Sequence, residues 1–341
     1  MYVAITRAER FLFVSYSGNT VSSFVKDLGP LVNDSGGLIT ANSKRLLEEL
    51  RYAPKEHRRD VRLATSFSDL RYYLECPHDF YLRKVLGFAP TIDQAFGYGR
   101  GVHNLMRAIH SNPKKWAALA GDRKALEREI QKLIGRGLFY LRYTTGDPAR
   151  NMREKGTRIV ADYVQRYASE MERLTFEPEK AFETLVEYED GNGGALISGA
   201  IDVIRQDDPP RVTLIDFKSG DPESDKHQKL NEQEMQFQVA LYAVAAKKEL
   251  QYQPEQGLVR YLDIDKKSKD KAELRVPLDA DSLIKTKKAA AQTAMKIRER
   301  RFTEGPAPRA DGEHRCGTCD FIGFCGMKEA TAFKKSNPRD W

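Results

Sequence analysis

The stretch Gly199-Ala-Ile-Asp-Val-Ile-Arg-Gln-Asp-Asp-Pro-Pro-Arg-Val-Thr-Leu-Ile-Asp-Phe-Lys218 decides the fold, because two apolar segments in it flank an Asp-Asp-Pro-Pro turn. The segments run from Ala195 to Ile204 and from Arg211 to Lys218, and their composition predicts two strands. Since the turn between them is short, we expect the strands to pair as an antiparallel hairpin centred on Pro209.

The charged side chains of this hairpin are expected to converge. Period-two alternation puts Asp216 and Lys218 on one face of the second strand, and Ile215 and Phe217 on the other. On the first strand, Asp202 lies opposite a row made of Ile197, Gly199, Ile201 and Val203. The two aspartates are equally far from the turn, which predicts Cβ atoms roughly 5 Å apart. Such carboxylates repel each other unless a cation neutralises them, and Mg²⁺ or Mn²⁺ suits oxygen ligands.

A simpler interpretation of these residues stays open. Asp202 and Asp216 would then be solvent-facing strand residues, and Lys218 would be their surface ion-pair partner. One Asp-x-Lys segment taken alone favours this interpretation.

Helices and strands alternate along the rest of the chain. A Ser66 or Ser68 cap predicts a helix that reaches Cys76, and helices are predicted to dominate from there to about Tyr167. The further predicted elements are a strand from Ala181 to Tyr188, a helix from Glu232 to Leu250, a strand from Gly257 to Ile264 and a helix from Ser282 to Arg300. The chain is therefore predicted to combine helices and strands in an α/β fold.

Composition narrows the class of protein. The chain has 341 residues, of which 40% are hydrophobic and 10% aromatic, as expected for a globular protein. No apolar stretch is long enough to cross a bilayer and no signal peptide is recognisable, so we expect a cytoplasmic protein without a membrane partner. The formal net charge of +7 favours a polyanionic partner.

The order of the polar motifs resembles a known family. Gly199-Ala200-Ile201-Asp202, then Asp216-Phe217-Lys218, then Gln238-x3-Tyr242 resembles the PD-(D/E)xK core of RecB-type nucleases. Upstream, Gly99-Arg100-Gly101-Val102-His103 is similar to the helix of that family that carries a metal-binding histidine. The resemblance implies a restriction-endonuclease-like α/β fold, in which a mixed sheet is embedded in helices, and metal-dependent cleavage of DNA.

The resemblance also implies roles for single residues. The Mg²⁺ or Mn²⁺ ligands would be His103, Asp202, Asp216 and the backbone carbonyl of Phe217, and Lys218 would orient water and stabilise negative charge. Gln238 and Tyr242 share a helical face and would touch the DNA backbone or steady the lysine, although Tyr242 also suits a half-buried core position. His110, on the face of His103, is a second candidate, and the Gly-x3-His setting favours His103.

The four cysteines suggest one metal centre. Cys316, Cys319 and Cys325 are close in sequence, and Cys76 lies 240 residues before the first of them. Four thiolates bind an iron-sulfur cluster or structural Zn²⁺. The segment from Ser66 to Tyr81 resembles the opening of AddB-type nucleases, which implies a structural 4Fe-4S cluster that joins the two ends of the domain.

The N-terminal residues resemble part of a motor protein. Tyr2-Val3-Ala4-Ile5-Thr6-Arg7-Ala8 is similar to motif VI of UvrD-like helicases, in which the arginine, here Arg7, contacts the nucleotide. The sequence contains no Gly-x4-Gly-Lys-Ser/Thr loop, so ATPase activity of the chain alone is not expected. We therefore predict a helicase remnant at residues 1–17, a linker at 18–63 and a nuclease domain at 64–341.

The expected function follows from both resemblances. It is exonucleolytic cleavage of DNA, as single strands or duplex ends delivered by a helicase motor, in repair or recombination. Two alternatives stay open: a non-catalytic DNA-binding or scaffold module, and the C-terminal fragment of an ATP-dependent helicase.

Overall fold

A computed structural model describes residues 62–89, 97–135, 146–220, 232–264, 272–306 and 315–336. The predicted helicase remnant with Arg7, and most of the predicted linker, lie outside these ranges. They stay predictions.

The described residues form a mainly helical first half and a second half that contains most of the strands. The N-terminal half holds β1 Arg62–Ser66, α1 Phe67–Glu75, α2 Pro77–Phe80, α3 Tyr98–His110, α4 Pro113–Leu119, α5 Arg123–Leu133 and α6 Gly146–Arg173. The C-terminal half holds β2 Thr175–Glu187, β3 Gly194–Asp208, β4 Arg211–Lys218, α7 Glu232–Glu249, β5 Gln253–Tyr261, β6 Glu273–Val276, α8 Ala280–Arg298 and α9 Lys328–Ser336. None of the helices within the described ranges is sufficiently long and apolar to cross a membrane.

The strands form one six-stranded mixed sheet in the order β1-β3-β4-β5-β6, with β2 paired to β3. The β1–β3 and β4–β5 pairs are parallel, and the β2–β3, β3–β4 and β5–β6 pairs are antiparallel. A sheet with both pairings inside a helical layer confirms the predicted α/β architecture, which is consistent with a restriction-endonuclease-like fold.

Each face of the sheet buries its own hydrophobic core. On one face, Val203, Ile215 and Phe217 pack with side chains of α3 to α6. On the other, Ile204 and Leu214 pack with α7, and this core continues towards α1 and α8. Because helices cover both faces, β4 is buried at six consecutive residues rather than at every second one.

The sheet forks along one edge of β3, where β1 and β4 pair with different parts of the strand, and this fork positions the candidate site. Strand β2 pairs along Gly194–Gln206 of β3, so β1 and β4 must share the opposite edge. Strand β1 pairs with β3 as far as Ser198, and the pairing with β4 begins at Val203. Within the described residues, positions 199–202 of β3 therefore have no backbone partner on that edge, and Asp202 lies at the mouth of the fork.

Most predicted elements are confirmed, with shifted ends. The Ser66 hydroxyl caps α1 by accepting a hydrogen bond from the Asp69 amide at 3.2 Å, and β4 has the predicted bounds. Helix α6 continues to Arg173, past a kink at Tyr167, the residue where the sequence predicts the helical region to end. Strand β1 begins at Arg62, so the last two residues of the predicted linker belong to the sheet. Strand β6 is not predicted from the sequence.

Candidate active site

The β3–β4 hairpin brings the two aspartates of the sequence motif to the fork. The strands pair in antiparallel register as far as Val203 with Ile215, which puts Asp202 and Asp216 at the next step. The backbone N–H of Phe217 donates to Asp202 Oδ2 at 2.8 Å, so a carboxylate satisfies this amide at the fork. The predicted hairpin is confirmed.

One part of the predicted face pattern is wrong. Ile201 and Ile204 both pack in the core under α7, whereas Val203 packs in the opposite core with α3 to α6. Val203 therefore does not continue the row that the sequence predicts through Ile201. The break falls beside Asp202, where β3 loses one neighbouring strand at the fork and the pleat is no longer held from both sides.

Asp216 and Lys218 form a buried ion pair on the α7 side of β4. The Asp216 side chain is 2% exposed, and Lys218 Nζ lies 2.8 Å from its Oδ2. The contact has the distance but not the geometry of a hydrogen bond, and Oδ2 has no hydrogen-bond donor. A buried carboxylate oxygen without a donor is costly unless another cation approaches it. The interpretation of Asp216 as a solvent-facing residue is therefore wrong.

A side chain of helix α7 fixes the position of the lysine. Lys218 Nζ donates to Gln238 Oε1 at 2.8 Å, and Gln238 Nε2 donates to the Tyr242 hydroxyl at 2.6 Å. Tyr242 is also packed edge-on against Phe182, with ring centroids 5.7 Å apart. Of the i, i+4 pair predicted from the sequence, Gln238 contacts the lysine directly, and Tyr242 contacts Gln238.

Helix α3 carries the candidate histidines to different surroundings. His103 Nδ1 lies 3.3 Å from Asp202 Oδ2, at the wall of an open cleft. His110 is buried, with Nδ1 donating to the Met106 carbonyl at 2.8 Å and Nε2 lying 3.0 Å from the Tyr163 hydroxyl. Since both nitrogens of His110 have partners, the geometry favours His103 as the candidate ligand.

The cleft beside His103 contains residues that sequence reasoning missed. It has a volume of about 880 Å³ and is lined on one side by Arg100, Asn104 and Arg107 of α3, and on the other by Glu179 and Asp202. Asp216 and Lys218, which are 2% and 18% exposed, are not among the residues that line this cleft in the described structure. The recurrence of polar residues along one face of α3 could have indicated this wall from the sequence.

Burial and neighbouring charge shift the pKa values of the two aspartates in opposite directions. Burial alone would raise the pKa of Asp202, but contact with His103 and the Phe217 amide outweighs it and lowers this pKa. For Asp216, burial exceeds the attraction of Lys218, and the pKa is raised. Burial would lower the pKa of His103, yet Asp202 raises it. His103 and Lys218 thus neutralise the two aspartates.

The donor set fits a divalent cation by its chemistry. Two carboxylates and an imidazole meet at one fork, and the orphan Oδ2 of Asp216 has capacity for a further positive partner. Within the described ranges, no three His, Cys, Asp or Glu side chains are arranged so that they could hold a metal ion as they stand. A bound cation would have to take over from His103 and Lys218 as the counter-charge of the aspartates.

The four cysteines lie together at a second place. None of the four forms a disulfide in the described structure, and all four line one small cavity between α2 and the segment that precedes α9: Cys76, Cys316, Cys319 and Cys325. The Cys76 thiol accepts a hydrogen bond from the Asp79 amide at 3.4 Å. Burial, and then the other three thiols, raise the pKa of Cys316 to about 12. The four cysteines share this cavity, but within the described residues no three of them are arranged to hold a metal ion, and the predicted metal centre stays a prediction.

Comparisons with known proteins identify the family of the chain. A solved structure titled "Crystal structure of SSO0001" covers 83% of this chain and 93% of its own, at 16% identity and a TM-score of 0.33, which is too low to bear on fold or function. No curated protein matches the chain. The family model of the PD-(D/E)XK nuclease superfamily matches residues 64–326, which include the fork, Lys218 and all four cysteines. The chain therefore belongs to the PD-(D/E)XK nuclease superfamily.

Proposed function

We propose that the chain is a DNA nuclease that requires Mg²⁺ or Mn²⁺. The observation that carries this proposal is the convergence of Asp202, Asp216 and Lys218 at the fork, with the lysine oriented by Gln238. Membership of the superfamily suggests nuclease activity and the use of these metals. The net charge of +7 suits a polyanionic substrate.

The side chains at the fork would have separate roles in metal binding and in catalysis. Asp202, Asp216, His103 and the Phe217 carbonyl would hold the cation, which would screen the phosphodiester charge and make water more acidic. Lys218 Nζ lies beside Asp216 and would donate a hydrogen bond to the reacting oxygen. Its hydrogen bond to Gln238 limits its rotamers, so the ammonium group is preorganised for this task.

The finer parts of the proposal rest mainly on the sequence. Exonuclease action on strands delivered by a helicase, a role in repair or recombination and a cytoplasmic location are supported by the resemblance of residues 1–17 to motif VI and by the composition. For the cysteines we propose a structural 4Fe-4S cluster, with Zn²⁺ as the alternative. The cavity that the four cysteines share supports a soft metal centre of either kind.

The test is cleavage of end-labelled single- and double-stranded DNA by anaerobically purified protein with Mg²⁺, Mn²⁺ or EDTA. We expect Asp216→Asn and Lys218→Ala to lower the cleavage rate by at least about 10²-fold, because each removes a charge from the reacting centre. Asp208→Asn, at the exposed turn end of the same hairpin, is the matched control and should cleave like wild type.

Circular dichroism and thermal unfolding show whether the variants are folded. Full activity of folded Asp216→Asn and Lys218→Ala would contradict the proposal. Wild-type protein that binds DNA but cuts it with neither metal would instead favour the non-catalytic scaffold alternative.

A further inference from the structure

The cleft beside His103, here called the α3 cleft, has a cationic wall. Arg100, His103, Asn104 and Arg107 follow one another at helical spacing, so one face of α3 presents them to the cleft. From the first arginine to the last, the row extends about 10 Å at the helical rise of 1.5 Å per residue. The opposite wall includes Asp202 of the proposed active site. A chain of phosphates bound along α3 would therefore reach the candidate centre.

An exposed ion pair spans the α3 cleft, in addition to the contact between His103 and Asp202. Arg107 Nη1 donates to Glu179 Oε2, and these side chains are 43% and 51% exposed. Ion pairs exposed to this extent contribute little to stability, because water screens them and their long side chains lose freedom. An anion that offers Arg107 two oxygens can therefore displace the carboxylate at small cost.

The backbone holds Glu179 at this place under strain. Its φ is 50°, in the left-handed region that residues other than glycine seldom adopt. In the β2–β3 ladder, Pro178 pairs with Val203 and Lys180 with Ile201, so Glu179 falls opposite Asp202. An acidic side chain kept in an unfavourable conformation next to the candidate centre points to a functional role.

We propose that Arg107 binds a phosphate of the DNA strand and that Glu179 occupies this phosphate site until the strand enters the α3 cleft. The proposal rests on the proposed nuclease function and extends it to the substrate. The cleft volume of about 880 Å³ is within the range of sites that enclose a small ligand. It suits a short length of one strand, so we assign a single-stranded substrate to the cleft.

The ion pair permits a test in which substitutions of its two partners change the affinity for DNA in opposite directions. Affinity for a 5′-fluorescein-labelled 12-nucleotide oligo-dT is measured by fluorescence anisotropy in EDTA, over a series of KCl concentrations. Each phosphate contact on a single strand adds about 0.7 to the slope of log K against log salt, which is about fivefold in affinity at 0.1 M salt. Arg107→Ala should therefore have a salt slope smaller by about 0.7 and an affinity about fivefold lower than wild type.

Glu179→Gln should bind the oligonucleotide a few-fold more tightly than wild type, because the competing carboxylate is removed. Arg211→Ala is the matched control: Arg211 is 49% exposed and pairs with Asp208, at the turn end of the hairpin and away from the α3 cleft. It should leave affinity and salt slope nearly unchanged. A blunt duplex of equal length should bind more weakly than the single strand.

The outcomes separate this inference from the proposed function. If the ion pair is only structural, Arg107→Ala and Glu179→Gln will change binding in the same direction or not at all, and the inference is wrong even if the wild type cleaves DNA. Duplex binding as tight as single-strand binding would overturn the substrate assignment. Failure of the wild type to cleave, with opposite effects of the two variants on binding, would contradict the nuclease but keep the phosphate site.

Discussion

At the scale of single residues, surroundings give identical side chains different chemistry. Asp202 accepts from an amide and contacts His103, so its pKa falls, whereas the buried Asp216 has its pKa raised despite Lys218. His103 and His110 lie on the same helix, yet one lines the cleft and the other is enclosed. The sequence places such residues on faces, but only the packed structure assigns their charge.

His110 gives a prediction about stability and pH. Burial lowers its pKa to about 4, from about 6.5 in the unfolded chain. Between these values the unfolded chain takes up a proton that the folded protein does not, so stability is complete above pH 6.5 and is lost as the pH falls. The loss should reach about 3 kcal/mol at pH 4, measured by urea unfolding of metal-free protein from pH 7 to 4.

The His110→Gln variant isolates this contribution from other titrating groups. Its amide can accept from Tyr163 but takes up no proton in this range, so its free energy of unfolding should fall less steeply between pH 6.5 and 4. Equal pH dependence of the variant and the wild type would show that His110 does not titrate as its surroundings predict.

At the scale of elements, local patterns predict the hairpin well and the fork poorly. The Asp-Asp-Pro-Pro turn fixes the register that brings Asp202 and Asp216 together, and the i, i+4 pair of α7 meets Lys218 as expected. The position of Val203 was not predictable from alternation, because it depends on where β1 and β4 leave β3. Strands β1 and β6 are too short for a periodic pattern and are defined by their partners.

The packing of α7 on β5 gives a prediction about the distance between helix and sheet. A Cβ at Gly257 would lie 2.6 Å from Val239 of α7 and 3.1 Å from Val276 of β6. Gly257→Ala should push α7 outwards by a few tenths of an ångström and cost roughly 1–3 kcal/mol of stability. Because Gln238 precedes Val239, the hydrogen bond to Lys218 should weaken and the cleavage rate should fall by up to about 10²-fold.

A second glycine provides the control for this prediction. Gly121 has no heavy atom within 4 Å of an added Cβ and no left-handed backbone, so Gly121→Ala should be nearly neutral in unfolding and in cleavage. The explanation by close approach is wrong if Gly257→Ala unfolds at the wild-type temperature, or if Gly121→Ala is equally destabilised.

At the scale of the whole molecule, contacts between distant segments join the two ends of the domain. Arg83 donates to Asp79 and to Asp320, and its guanidinium lies 4.6 Å from the ring centroid of Phe321. The Tyr73 hydroxyl donates to the Arg301 carbonyl at 2.6 Å. These side-chain contacts join the two segments beside the cavity of the four thiols.

The proposed metal centre at this cavity should therefore add stability rather than create the fold. Cross-linking two points 240 residues apart restricts the unfolded chain by about 5 kcal/mol in the chain-entropy model. Cys76→Ser should lose the bound metal and unfold roughly 10 °C below the wild type, while its circular dichroism stays the same at low temperature. Iron, sulfide and zinc analysis of anaerobically purified protein distinguishes a cluster from Zn²⁺. Metal-free wild type that unfolds at the same temperature as Cys76→Ser would show that the four thiols only pack together.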